Sequence, residues 1–197
     1  MHKKLSLVLV FAMVFSLIAG CSAKGSSNKA VNDEGGTIKV GLDYELTGNV
    51  ATYGQGLTEG IELAVEEINN DGGIFGKKIE LVKTDNKSDS AEAANVATKL
   101  ATRDKVVAIL GPATSGNTKG ASPVAMQNKV PLISASATAD DITVDSNGKV
   151  RDYIFKTCFS DSFQGVIMAN FAFDDLKAKN AAVLVDSTSD YSKGLDK

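Results

Sequence analysis

The apolar positions of the chain change period as it runs, and the changes outline its elements. After a polar stretch over 22–36, Ile38, Val40 and Leu42 alternate with other residues, the two-residue period of a strand. A loop over 43–53, with a turn at Thr47-Gly48-Asn49, leads into a helix that places Leu57, Ile61, Ala64, Val65 and Ile68 on one face. Asp71-Gly72-Gly73 stops it, and Ile79, Leu81 and Val82 mark a second strand over 78–84. Asp89 and Glu92 have capping-box spacing, so a helix follows through Ala93, Val96, Ala97 and Leu100. Val106, Val107, Ala108, Ile109 and Leu110 form a continuous apolar run, as expected of a parallel strand covered on both faces. Gly111-Pro112 breaks the run, and Ser115, Asn117 or Thr118 can cap a helix through Ala121, Val124 and Ala125. A short strand over 130–133 comes next.

The register changes after Ala139. Residues 140–151 are polar and turn-rich, and Ile154-Phe155-Lys156-Thr157 is a short strand that leads away. Asp161 or Ser162 caps a new helix carrying Phe163, Val166, Ile167 and Phe171. Residues 181–185 are predicted as a strand, followed by a strand-end loop over 186–194 that contains Tyr191. Strands and helices thus alternate, the signature of an α/β fold with a parallel sheet. The predicted organisation is a Rossmann-like first lobe over 37–157 and the start of a second lobe over 158–197. In open α/β sheets ligands sit beyond the carboxyl ends of the strands. Two hydroxyl-rich loops lie there, 111–118 and Ser134-Ala135-Ser136-Ala137-Thr138, and they look like two halves of one polar pocket. The first opens a helix N-terminus, whose unpaired N–H groups and partial positive charge suit an anion. Local sequence alone favours a plainer reading, in which both loops are caps that solvate a turn.

The start of the chain changes the cellular picture. Lys3-Lys4 precedes an apolar core over 5–19, shorter than the ~20 residues that span a bilayer as a helix. Ile18-Ala19-Gly20-Cys21 then has the form of a lipobox. Residues 1–21 are predicted as a lipoprotein signal with Cys21 as the lipidated residue; the alternative is an ordinary secretory signal cleaved near Ala23. The consequence is export and an acyl anchor on the outer face of a membrane, with 22–36 as a flexible tether.

Composition then excludes chemistry. The chain is 43% hydrophobic and 23% charged, ordinary globular material. Setting aside Lys3 and Lys4 leaves 19 basic residues against 24 acidic, a net of −5, which argues against nucleic acid as a partner. The single histidine is His2, inside the signal, so the mature chain has no Ser-His-Asp or Cys-His chemistry and no His-ligated metal. Cys21 and Cys158 are the only cysteines, and with Cys21 lipidated Cys158 is most simply a buried small apolar residue. The 111–118 loop lacks the Lys-Ser/Thr pair of a phosphate-binding P-loop. Asp43 and Glu45 read as turn residues, and Glu66-Glu67 and Asp140-Asp141 as solvated pairs. No cofactor is expected.

Over 39–194 the chain resembles the type I periplasmic binding proteins, specifically the Leu/Ile/Val-binding proteins of ABC importers. The resemblance is carried by blocks in order: Thr47-Gly48, Ala51-Thr52-Tyr53-Gly54, Gly60 with Leu63-Ala64, Glu67-Ile68-Asn69, and Gly72-Gly73-Ile74-Phe75-Gly76. Leu81-Val82 with Asp85, Gly111 with Ser115, the 133–138 loop, and Asp161 with Gln164-Gly165 follow. It implies a type I binding-protein fold, two α/β lobes closing on a small α-amino acid, and an ABC permease as partner, with no enzymatic activity. It implies that Ser115 and neighbouring helix N–H groups take the ligand carboxylate. Ser136 and Thr138 would offer a carbonyl and a hydroxyl to the ammonium, with the Ala137–Thr138 backbone beside the carboxylate. Tyr53 would flank the ligand from the first lobe and Tyr191 would close over it from the second. Three departures stand out. Ser88 and Thr114 occupy positions where some relatives place a disulfide. The acidic ammonium partner and the segments that return to the first lobe would lie beyond Lys197, so the chain reads as truncated. The competing readings are a receptor that senses amino acids, amides or urea without transport, and a Rossmann-like enzyme binding phosphate at 111–118.

Overall fold

The computed structural model describes residues 36–195. The signal, Cys21 and residues 22–35 of the tether lie outside the described residues. Strand β1 (Ile38–Tyr44) leads to helix α1 (Ala51–Asn70) and strand β2 (Ile79–Asp85). Helix α2 (Ser90–Lys99) continues into a wider π-helical turn, Leu100–Asp104, before β3 (Ala108–Leu110) and α3 (Ser115–Asn128). Strands β4 (Leu132–Ser134) and β5 (Ile154–Lys156) follow, then α4 (Asp161–Asn170), its π-helical extension Phe171–Asp175, and α5 (Asp190–Leu195).

The five strands form one sheet in the order β2-β1-β3-β4-β5, and each adjacent pair is parallel. The register aligns Val40 with Leu81 on one side and with Ala108 on the other. From β1 the chain first moves outward to β2, then crosses back to β3 and continues the other way. The topological switch point therefore lies between β1 and β3, where the loops at the carboxyl ends diverge and leave a crevice.

The sheet is covered on both faces. Beneath α1, Leu42 and Tyr44 pack with Leu57, Ile61 and Leu81. On the other face, Ile109 and Leu132 pack against the small side chains of α2 and α3, Ala93, Ala97, Ala121 and Ala125. Those alanines let the two helices come close. At Gly120 a β-carbon would fall 2.4 Å from the Ser90 carbonyl oxygen, so only glycine fits at that crossing. Asp89 caps α2 as expected, its carboxylate accepting from the Glu92 N–H at 2.8 Å.

Several expectations change. Helix α1 begins at Ala51, so Tyr53 stands in its first turn rather than in the loop. Residues 181–185 are irregular instead of a strand, and Leu184 is 98% exposed. A strand is held by hydrogen bonds to a neighbour, and no described strand lies beside this segment. Tyr191 lies within α5 instead of a loop. Cys158 is half-buried rather than core. Of the residues that point outward on α4, Phe163 remains 60% exposed, in keeping with the apolar face the sequence places there.

Candidate functional site

The site is built from the end of β1 outward. Asp43, Tyr44 and Glu45 are all buried, which their expected role as turn residues did not foresee for the two acids. Asp43 Oδ1 accepts from Asn86 Nδ2 at 2.9 Å, while its buried Oδ2 has no partner among the described residues. Burial pushes the Asp43 carboxyl up to about 8; the Asn86 hydrogen bond opposes the rise and the Glu45 charge adds to it. Burial and the same two acids push the Tyr44 phenol upward.

Glu45 reaches across the switch point. Its Oε2 accepts from the Ala113 N–H at 3.0 Å, and its Oε1 accepts from the Thr114 N–H, the Thr114 hydroxyl and Asn117 Nδ2 at 2.8–3.0 Å. The expected cap of α3 by Ser115, Asn117 or Thr118 is therefore replaced by a distant carboxylate, and Thr114 occupies the N-cap position with no side-chain cap of its own. Gly111, with φ +102°, makes the turn possible: a β-carbon there would lie 2.1 Å from the Asp43 carbonyl oxygen.

The second loop is stitched to the first. Ser134 donates to the Pro112 carbonyl at 2.6 Å, and Ser136 donates to the Ala113 carbonyl at 2.7 Å. Ser115 Oγ accepts from the Ala139 N–H at 3.2 Å, which leaves the Ser115 hydroxyl proton for another acceptor. Ser115, Ser136, Ala137 and Thr138 are thus brought together at the carboxyl ends of β3 and β4. The Thr138 carbonyl accepts from the Asp161 N–H at 3.0 Å and from Lys156 Nζ at 3.1 Å.

The sequence offered Asp161 or Ser162 as the cap of α4 and Asp161 as part of a resemblance block; in the structure Ser160 holds the N-cap position with no side-chain cap, and Asp161 is the first helical residue. Its carboxylate is buried, and neither oxygen has a hydrogen-bond partner among the described residues. Burial raises its carboxyl above the usual range; the Thr138 hydroxyl, which faces it without reaching hydrogen-bond geometry, opposes this. The two tyrosines stand apart from the stitched loops in the sequence of elements. Tyr53 is 64% exposed on α1, and Tyr191 is 40% exposed on α5, where its hydroxyl accepts from Gln164 Nε2 at 3.2 Å. Helix α5 is tied to α3 by Lys119, which pairs with Asp190 at 3.3 Å and with Asp141 at 2.8 Å. Among the described residues no group of three or more His, Cys, Asp or Glu side chains is placed to hold a metal ion.

The described chain is thus a parallel sheet flanked by helices, with the polar loops at the carboxyl ends of β3 and β4 joined by side-chain hydrogen bonds. The sequence profile of the family described as periplasmic binding protein matches residues 37–197, and the chain belongs to that family, on its type I branched-chain amino acid side. The Leu/Ile/Val-binding protein of Escherichia coli K12 is 34% identical over 182 residues, covering 91% of this chain and 47% of the relative. The branched-chain amino acid transporter substrate-binding protein LivJ of Streptococcus pneumoniae, solved in complex with isoleucine, is 49% identical with a TM-score of 0.77; the match covers 82% of this chain and 45% of LivJ. The leucine-binding protein LivK of Thermotoga maritima is 34% identical with a TM-score of 0.72, covering 81% of this chain and 43% of LivK. The chain spans less than half the length of each. The family is one of substrate-binding proteins, and its periplasmic homologues are exported.

Proposed function

We propose that this chain is the ligand-receiving part of an exported solute receptor that holds a small α-amino acid, a branched-chain one first among them, for an ABC permease. The observation that carries the reading is the stitching of the Ser115 loop to the 134–138 loop at the carboxyl ends of β3 and β4, next to the switch point. It sets a hydroxyl proton and the N–H groups of the first turn of α3 beside Ser136, Ala137 and Thr138, so that donors for a carboxylate adjoin acceptors for an ammonium. In this reading Tyr53 flanks the ligand and Tyr191 closes over it, with 37–157 as the first lobe and 158–197 as the start of the second. Cys21 carries the lipid anchor, and 22–36 tethers the binding region to the outer face of the membrane.

A phosphate-using enzyme is disfavoured by Glu45, which already takes the Ala113 and Thr114 N–H groups. A phosphate seeking the run of turn N–H groups would meet that charge, whereas a carboxylate needs only Ser115 and the turn that follows. A thermal-shift screen of the chain against amino acids, amides, sugars and phosphorylated metabolites tests the reading. Leucine, isoleucine or valine is expected to raise the melting temperature, with about 2.7 kcal/mol of stabilisation at a hundredfold excess over Kd. A shift produced by sugars or phosphates and by no amino acid would contradict it.

A further inference from the structure

A carboxylate removed from water is retained where its oxygens find donors, and Glu45 finds them all on one target. Its four hydrogen bonds come from Ala113, Thr114 and Asn117, the turn before α3 and its first turn. The backbone of Glu45 is clamped from the other side, since a β-carbon on Gly54 of α1 would lie 2.2 Å from its carbonyl oxygen. A side chain rooted in a clamped backbone and bonded four ways to one turn has no freedom left to transmit. It fixes where that turn, and Ser115 immediately after it, stand relative to β1.

We propose that Glu45 is a positioning residue for the ligand-carboxylate subsite, a non-covalent staple across the switch point that sets the placement of Ser115 without touching the ligand. The assignment rests on the reading of Ser115 as the carboxylate contact. The division of bonds between the two oxygens makes a graded test possible. In Glu45→Gln the Oε1 acceptor keeps the Thr114 and Asn117 donors, while the new amide N–H faces the Ala113 N–H, donor against donor. In Glu45→Ala all four bonds are lost and the α3 N-terminus is vacated, leaving a space that a small carboxylate such as formate can refill.

The experiment titrates L-leucine and L-isoleucine calorimetrically into the full chain as wild type, E45Q, E45A and V96A. The last is a control for stability alone, because Val96 is a buried residue of α2 and belongs to neither loop. Each titration is paired with a melting curve. The expected result is affinity weakened several-fold in E45Q and about tenfold or more in E45A. Formate in the tens of millimolar should recover part of the E45A loss and none in V96A, which binds as wild type does. Unchanged affinity in folded E45Q and E45A, or an E45A loss that formate leaves untouched, overturns the assignment. An E45Q chain that does not fold makes Glu45 a folding determinant and overturns it too. Wild type that takes up neither amino acid overturns the functional reading, and this assignment with it; wild-type binding with unaffected variants overturns the assignment alone.

Discussion

Replacing Asp43 by Asn should reshape how stability depends on pH. Asp43 is buried at the end of β1, and its carboxyl lies at about 8 against an ordinary value of 3.8. Below about pH 4 both folded and unfolded chains hold the proton, and the group has no effect. As pH rises from 4 to 8 the unfolded chain releases the proton while the folded chain keeps it, so unfolding is progressively favoured. The slope is about 1.4 kcal/mol per pH unit, and the full displacement corresponds to roughly 6 kcal/mol, lost by pH 8 and constant above it. Against a total stability of about 5–15 kcal/mol, even half of that is readily measured. Asp43→Asn keeps the acceptor for Asn86 Nδ2. It places an N–H₂ where Oδ2 has no partner, at a cost of about 1–3 kcal/mol. The variant should therefore be the less stable protein near pH 4.5 and the more stable near pH 8. Urea unfolding of both proteins at half-unit pH steps reads this directly. Parallel stability curves over that range would refute the account of Asp43 as a carboxyl held neutral by burial.

Other outcomes follow from single contacts. Ser115→Ala and Thr138→Val should each weaken amino-acid binding about tenfold, the value of a hydrogen bond to a charged group, measured by calorimetry. Gly54→Ala should destabilise by about 1–3 kcal/mol, because the β-carbon meets the Glu45 carbonyl at 2.2 Å, whereas Gly60→Ala on the same helix meets nothing and should stabilise by about 0.5–1 kcal/mol, compared by thermal melts. Cys21→Ala should leave the precursor unprocessed on a gel and deprive the chain of its acyl anchor, which membrane fractionation with metabolic lipid labelling reports.

Much of the fold was legible because periodicity reports burial. The alternation of Ile38, Val40 and Leu42 lies on β1, and the end of the apolar run, Ala108–Leu110, forms β3, whereas Val107 before it is 58% exposed rather than covered on both faces; the Asp89–Glu92 spacing marks the start of α2. That the two hydroxyl loops adjoin was legible because strand ends in a parallel sheet point the same way, and Ser134 and Ser136 do bond to the first loop. The acids were harder to read. Glu45 follows the last strand residue and looks like a solvated turn, and its partners lie 68–72 residues away, where no local pattern points to them. Asp43 sits within the alternation, and only the three-dimensional neighbours Asn86 and Gly111 show that it is buried. The 181–185 segment shows the converse. Its apolar run has strand propensity, yet strand structure is a property of a pair.

The central claim is that the loops at the carboxyl ends of β3 and β4, beside the β1–β3 switch point, receive the carboxylate of an amino acid. The most direct measurement titrates the full chain with L-isoleucine and, in parallel, with 2-methylbutylamine, which keeps the side chain and the amine and lacks the carboxylate. The account expects one-to-one binding of isoleucine and a loss of about tenfold or more for the amine, since the donors at Ser115 and the α3 N-terminus are then left without an acceptor. Equal affinity for the two compounds, or binding of neither, would contradict it.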